Sequence, residues 1–275
     1  MKLCFSTVAL DGYSPSDIAR YAAKNKIFAA EVRLDTENKF FGAGGDDKKQ
    51  LEALINVFKL EKVEIPVLGT STIINSYKAE EVEQIRNNIN LASLIGSFGI
   101  RIFLGNFAKR YSQNLPYDYD GIVKALKEAA VYAEEKNVLI LIETHNQFAT
   151  GKILKKLYDD IGSKAIGIIW DIVHPIEDNE AYTETWDYIG DIIYHVHIKD
   201  GKKNDDPEMH DYTYTRLGEG ELPIGEIITH LKNKGYNGYI SLEWENKWRT
   251  ELKAFPTDPD WILSEFTEYV KEYIN

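Results

Sequence analysis

The chain has 275 residues, 44% of them hydrophobic and 28% charged, which is the composition of a globular protein with a sizeable core. The net charge of −12 gives no indication of a basic surface that could bind nucleic acid or an anionic membrane, so we expect neither partner. Cys4 is the only cysteine, which excludes an intrachain disulfide, and no apolar run approaches the ~18 residues of a membrane span. The first residues are too short an apolar run for a secretory signal, and we expect a cytoplasmic protein.

Strand-like apolar runs alternate with amphipathic helix-like runs along the whole chain. The predicted strands are Leu3–Val8, Phe28–Leu34, Val63–Gly69, Ile100–Leu104, Val138–Glu143, Ala165–Asp171, Ile192–Ile198 and Tyr239–Trp244. The predicted helices are one opened by Ser14-Pro15, then Asp47–Lys59, Ala79–Ser97, Tyr119–Lys136, Ile153–Ile161, Glu177–Ile189, Ile224–Lys234 and Asp258–Tyr273. Eight rounds predict an α/β fold, a single (β/α)8 TIM barrel in which residues 1–275 form one domain.

Two predicted loops are unusually long. Thr36–Asp46 contains paired phenylalanines beside glycines, and Lys199–Leu222 is polar and rich in glycine. Both follow strands, at the barrel face where active sites lie, so each could be a lid or a pocket wall. The alternative for both is an ordinary surface loop.

Four consecutive predicted strands carry an acid or a histidine at their carboxyl ends. These residues are Glu143, Asp171, His197 and Glu243. Side-chain alternation places each of them on the inward face of its strand. Three buried carboxylates and an imidazole would repel one another unless they share a cation, so the pattern predicts one divalent metal ion. These ligand types suit Mn²⁺, Mg²⁺ or Co²⁺, and also Zn²⁺. The alternative is a rim of solvated charges.

Short motifs at these strand ends resemble a known superfamily. They read Ile-Glu-Thr-His at 142–145, Trp-Asp-Ile-Val-His at 170–174, His-Val-His-Ile-Lys-Asp-Gly at 195–201, Leu-Gly-Glu-Gly at 217–220 and Leu-Glu-Trp-Glu at 242–245. In this order they are similar to the xylose-isomerase-like TIM barrels, and among these to the sugar phosphate isomerase/epimerase group. That group includes ketose 3-epimerases, inosose isomerases and dehydratases, and hydroxypyruvate isomerase. The first half of the chain matches only in architecture.

The resemblance implies a metal-dependent sugar isomerase or epimerase with a small carbohydrate substrate. It assigns Glu143, Asp171, His197 and Glu243 as metal ligands, and the two glutamates also as an acid/base pair. In such a site a proton next to a carbonyl is removed, an enediolate forms, and a proton returns to another position or face. A dehydratase acting on an inosose- or dehydroshikimate-like substrate would use the same residues and remains an alternative. By analogy with relatives, the chain could form a homo-oligomer.

Further residues are candidates for substrate binding. His174 resembles the family histidine that contacts a substrate oxygen, although it could also be a rim histidine. His145, Lys199, Arg216 and Trp248 could line the sugar pocket, and each has a plain structural alternative. His195 is expected to be an interior histidine rather than a ligand. Glu31 and Arg33 share a face of the second strand and are expected to form a buried structural pair.

Other classes of function are less well supported. A non-catalytic metal- or sugar-binding barrel would be expected to lack one of the two glutamates, and both are present. Endonuclease IV takes metal ligands from histidines on early strands, whereas none of the six histidines here precedes His145. A Schiff-base aldolase using Lys199 would leave the carboxylates unexplained. Lys203 stands where ketose 3-epimerases carry an arginine, which weakens the assignment to that subgroup.

Overall fold

A computed structural model of the chain describes residues 1–34, 48–108, 115–206, 208–209 and 211–274. The barrel strands are β1 (Lys2–Ser6), β2 (Ala30–Arg33), β3 (Val67–Ile74), β4 (Gly99–Leu104), β5 (Leu139–Glu143), β6 (Ile166–Asp171), β7 (Ile193–Ile198) and β10 (Tyr239–Leu242). They follow one another around a closed barrel in the order β1-β10-β7-β6-β5-β4-β3-β2. The predicted (β/α)8 fold is confirmed.

Helices connect these strands. They are α1 (Pro15–Lys24), α2 (Lys48–Leu60), α3 (Ala79–Ile95), α4 (Tyr119–Lys136), α5 (Gly151–Ile161), α6 (Val173–Glu177), α7 (Tyr182–Ile189), α8 (Ile224–Asn233) and α9 (Pro259–Ile274). Local sequence sets several of the ends. The Ser14 hydroxyl accepts a hydrogen bond from the Asp17 amide ahead of Pro15, and α3 ends at Gly96 with a φ of 88°. None of the helices within the described ranges has the length and apolar character needed to cross a membrane.

Most predicted boundaries lie within two residues of the observed ones, and three predicted segments differ by more. The predicted helix Glu177–Ile189 is two helices, α6 and α7, and α6 begins immediately after β6. The third strand lies later than predicted, at Val67–Ile74. Before it, Lys62 has a left-handed φ of 57°, and Glu64 pairs with Ala29 only as an isolated bridge. The segment Lys199–Leu222 contains β8 (Asp200–Lys203) and β9 (Tyr212–Thr215), which form a two-stranded sheet. The predicted loop Thr36–Asp46 falls outside the described residues.

The chain divides into two compact units. The first comprises Met1–Gly69, Ile198–Lys202 and Tyr214–Asn275, and the second comprises Thr70–His197 and Lys203–Thr213. Each unit has its own apolar interior. Phe5, Ile18 and Phe266 are fully buried in the first unit, and Ile102 and Trp170 are fully buried in the second. The expectation that residues 1–275 form one domain stays a prediction.

In the first unit, Asp200 explains the Leu-Gly-Glu-Gly motif. Its buried carboxylate accepts hydrogen bonds from the amides of Gly201, Gly218, Gly220 and Leu222, at 2.8 to 3.3 Å. A Cβ atom on Gly220 would lie only 2.0 Å from Asp200 Oδ1, so glycine is required for this close approach. The motif therefore has a structural role in folding this segment against its strand.

Candidate metal and substrate site

The second unit brings together three of the predicted metal ligands. Glu143 ends β5, Asp171 ends β6, and His197 lies opposite Asp171 in the parallel register of β6 and β7. Each offers a ligand atom within 4.8 Å of those of the other two, and all three side chains are buried. Glu143 Oε1 and His197 Nδ1 are 3.5 Å apart. Parallel strands ending at one barrel face produce this cluster, as the sequence predicted.

Asp171 is held in place by its neighbours along the chain and across the sheet. The Thr144 hydroxyl accepts from the Asp171 amide and donates to the Asp171 carbonyl, both at 2.8 Å. Asp171 Oδ1 accepts from the Val173 amide at 3.1 Å, which ties the carboxylate to the start of α6. The orientation of this predicted ligand is thus fixed by contacts within the protein.

Arg101 is a site residue that the sequence reasoning missed. It lies on β4, fully buried, with Nη1 3.0 Å from Glu143 Oε2 and Nη2 donating to the Thr70 carbonyl at 3.1 Å. Burial would raise the pKa of Glu143, but the charges of Arg101 and His197 outweigh it and lower the pKa to about 2. Glu143 is therefore ionised at neutral pH. A lone arginine within the apolar run Gly99–Leu104 was the available signal.

His174 lies beside the cluster, on α6. Its Nε2 is 3.4 Å from Asp171 Oδ2, and its Nδ1 is 2.7 Å from Glu177 Oε2. Burial alone would lower the pKa of His174, but the two carboxylates, Asp171 first, raise it to about 10. The ring is therefore an imidazolium at neutral pH. Glu177 was predicted only as part of a helix, so this contact was also missed.

His145 extends the site outward along an aromatic wall. Its ring centroid lies 4.0 Å from that of His174, 5.2 Å from that of Phe103 and 4.8 Å from that of Phe107. The Asn146 amide carbonyl contacts His145 Nδ1 at 2.8 Å, and its Nδ2 donates to the Leu104 carbonyl. His145 is thus a fixed part of this wall, beside the predicted substrate-binding histidine.

The first unit holds the fourth predicted ligand, Glu243, between two cations. The Glu243 amide donates to the Ile198 carbonyl at 3.1 Å, which places the residue at the carboxyl end of β10. Lys199 Nζ donates to Glu243 Oε2 at 2.6 Å, and Arg33 Nη1 lies 3.8 Å from Oε1. All three side chains are buried. Lys199 is thus a buried partner of a predicted catalytic glutamate rather than a lysine at the solvent.

Glu31 and Arg33 are both buried on β2, as predicted. They meet over Gly69, where an added Cβ would lie 2.6 Å from Arg33 Cδ and from Glu31 Oε1. The prediction gave Arg33 only a structural role, yet its guanidinium also approaches Glu243. His195 is fully buried in the second unit, with its ring 5.3 Å from that of His197, as expected of an interior histidine.

The two remaining candidates lie in different surroundings. Trp248 has 46% of its surface exposed, and the Arg33 guanidinium lies 5.2 Å from its ring centroid, so the indole adjoins the cations around Glu243. Arg216 donates through Nε and Nη2 to Glu265 and through Nη1 to Glu219. Its contacts are with α9 and its own loop. The substrate-binding roles of both residues stay predictions.

The residues of the second unit fit a divalent cation. Glu143 and Asp171 supply carboxylate oxygens and His197 supplies a nitrogen, the combination that divalent ions accept while keeping positions for small molecules. Buried carboxylates this close to one another are costly without a compensating cation. Arg101 lies beside Glu143 and the His174 imidazolium lies beside Asp171, and a divalent ion would add to this compensation between the two carboxylates.

A closed barrel with acids and histidines at its strand ends is typical of TIM-barrel enzymes that work at that face. The family described as xylose isomerase-like TIM barrel matches residues 20–265, and the chain belongs to it.

Related sequences come from several organisms. An uncharacterized protein of Methanocaldococcus jannaschii is 29% identical over 239 residues, covering 82% of this chain and 78% of the relative. Hydroxypyruvate isomerase of Escherichia coli is 26% identical, covering 62% of this chain and 64% of the enzyme. Fructoselysine 3-epimerase of Shigella flexneri is 20% identical, covering 75% and 76%. The relatives with a described activity are thus an isomerase and an epimerase.

Solved structures agree in fold. The IOLI protein, described with a binding zinc atom, superposes with a TM-score of 0.79 at 17% identity and covers 99% of both chains. At this identity the likeness establishes the barrel fold.

Proposed function

We propose that this protein is a divalent-metal-dependent isomerase or epimerase of a small carbohydrate that acts through an enediolate. Glu143, Asp171, His197 and Glu243 would hold the ion. The proposal is supported by the three-ligand cluster of the second unit and by the strand order, in which β10 follows β7. Relatives named as a hydroxypyruvate isomerase and a fructoselysine epimerase support a hydroxycarbonyl substrate. The zinc in a structural neighbour supports a metal ion.

The observation that carries the proposal is that each of the two glutamates has a buried cation of its own. Arg101 lies 3.0 Å from Glu143, and Lys199 lies 2.6 Å from Glu243. A catalytic carboxylate must be ionised to accept a proton, and a buried one is ionised only if charge or hydrogen bonds stabilise it. Each glutamate can therefore serve as a base although it is buried.

The reaction assigns distinct tasks to these residues. A bound divalent ion would polarise the substrate carbonyl and thereby lower the free-energy cost of removing a neighbouring carbon-bound proton. One glutamate accepts that proton in its ionised form, and the other donates one after taking up a proton from solvent, so the two would exchange protonation states in each turnover. The proton returns to the same carbon in an epimerase or to the adjacent carbon in an isomerase. The Lys199 ammonium donates to Glu243, and the Arg101 guanidinium keeps Glu143 anionic. His174 contacts a substrate oxygen.

The test is incubation in heavy water with a panel of ketoses, inososes and hydroxypyruvate. Deuterium entering a carbon-bound position establishes proton abstraction and identifies the substrate class. An isomer as product supports the proposal, whereas loss of water would assign the protein to the dehydratases. Absence of exchange with every candidate, in protein loaded with a divalent ion, would overturn the proposal. Glu143→Gln serves as the inactive control.

A further inference from the structure

His174 has one nitrogen that is hydrogen-bonded and one that is not. Nδ1 is 2.7 Å from Glu177 Oε2, whereas Nε2 makes no hydrogen bond within the described residues, although Asp171 Oδ2 lies 3.4 Å away. Only 7% of the side chain is exposed. Nε2 is therefore held near Asp171 by charge but has no acceptor in hydrogen-bond geometry, so it can donate to an oxygen bound beside that carboxylate.

Two contacts fix the plane of this ring. Glu177 accepts from Nδ1 at one end, and its own side chain is only 3% exposed. The His145 ring packs against the imidazole at a centroid distance of 4.0 Å and an interplanar angle of 44°. Glu177 follows His174 by three residues on α6, the spacing at which side chains on a helix are neighbours. The ring therefore has little freedom to rotate.

We propose that Glu177 is a positioning residue, which holds His174 so that Nε2 is directed at a substrate oxygen beside Asp171. This inference rests on the proposed function and extends it to a residue without a contact to the reacting atoms. With Nδ1 donating to the Glu177 carboxylate, Nε2 is the nitrogen that meets the substrate. A carboxylate behind a functional histidine commonly sets both the ring orientation and the nitrogen that is presented.

Glu177 is also in a suitable place for this role. It lies beyond His174 as seen from Asp171, so it can orient the imidazole without competing for the cluster of Glu143, Asp171 and His197. Burying a carboxylate for packing alone would be unfavourable, because the charged group loses a hydration that an apolar side chain of the same size does not have. The hydrogen bond from His174 Nδ1 compensates the Glu177 carboxylate for this loss.

A double-mutant cycle tests the proposal. With the substrate identified by deuterium exchange, Glu177→Ala is expected to lower kcat/KM by about 10- to 100-fold, the usual effect of losing such a supporting carboxylate. Glu177→Gln is expected to retain more activity, because its amide oxygen still accepts from Nδ1. In a His174→Ala background, Glu177→Ala is expected to change kcat/KM by less than about twofold. Glu135→Ala, an exposed glutamate on α4, is the matched control.

A second readout does not depend on catalysis. Nitrogen-15 NMR of the His174 ring is expected to show a slowly exchanging Nδ1 proton in the wild type that is lost in Glu177→Ala and kept in Glu177→Gln. Equal losses from Glu177→Ala with and without His174, or an unchanged Nδ1 signal, would overturn the proposal. If the wild type exchanges no substrate, the proposed function fails, but the NMR result still tests the role of Glu177. If Glu177→Ala does not fold, Glu177→Gln replaces it in both backgrounds. Its smaller loss of kcat/KM must then disappear when His174 is alanine, and an equal loss in both backgrounds would overturn the proposal.

Discussion

Arg101 Nη1 lies 3.0 Å from Glu143 Oε2, with the two side chains 0% and 2% exposed. The same guanidinium donates to the Thr70 carbonyl and lies 4.5 Å from the Phe103 ring centroid. The pair joins β4 to β5 inside the barrel and holds a predicted catalytic glutamate as an anion. Because both groups are fully desolvated, neither can be removed without leaving the other uncompensated.

Removing the arginine is expected to destabilise the protein strongly. Arg101→Met should lower the free energy of unfolding by about 3–5 kcal/mol, the usual cost of an unpaired buried charge. Urea denaturation with a divalent chelator present measures this directly. Adding Glu143→Gln to Arg101→Met should recover part of the loss, because the unpaired anion is then gone.

Arg20 provides the matched control, since its contact with Asp17 is exposed on α1. Arg20→Met should change the free energy of unfolding by less than about 1 kcal/mol. Similar losses from both arginine variants would contradict a special role for Arg101.

Metal content is expected to depend on Glu243 and to be independent of the next acid, Glu245. Wild-type protein should bind a stoichiometric divalent ion, and Glu243→Gln should lose it together with the exchange activity. Glu245→Gln is the control, because Glu245 lies on the same segment as Glu243. Its Oε2 is 3.4 Å from Arg249 Nε and 3.9 Å from Lys199 Nζ. Elemental analysis after dialysis measures the ion. An active protein that is free of metal and indifferent to chelators would refute the metal site.

The pH dependence of stability should reveal His174. In the metal-free protein its pKa is raised from 6.5 to about 10, so the folded state binds this proton more tightly than the unfolded state. The resulting stability is complete below pH 6.5 and is lost as the pH rises through 10. Urea midpoints measured across this range should fall in the wild type and fall less in His174→Gln. His230→Gln, on α8, should keep the wild-type slope; an equal flattening there would contradict the assignment.

Trp248 and Arg216 are expected to differ in their effects on substrate binding. Trp248→Ala should raise KM by about 2- to 10-fold, because an aromatic face contributes roughly 0.5–1.5 kcal/mol to a stacked contact. Arg216→Ala should leave KM nearly unchanged, because its guanidinium is already hydrogen-bonded to Glu265 and Glu219. Steady-state kinetics on the identified substrate measure both. The reverse pattern would place the substrate at Arg216 instead.

The sequence alone determined the fold and the ends of the three strands that carry the cluster, β5, β6 and β7. Apolar runs that alternate with amphipathic runs specify strands covered by helices, and eight rounds close into a barrel. Because inward residues alternate along a strand, the positions of Glu143, Asp171 and His197 at one face followed from strand parity. These patterns are local or repeat regularly, and they could therefore be read without coordinates.

The tertiary structure alone decided which charges meet. Arg101 lies 42 residues before Glu143, and Lys199 lies 44 residues before Glu243, so no local pattern links the members of either pair. The start of α6 directly after β6 was also not predicted, and only this short helix places Glu177 beside His174. Contacts between distant residues depend on side-chain packing, and a short distance between buried charges can change the ionisation of a group, as it does for Glu143 beside Arg101.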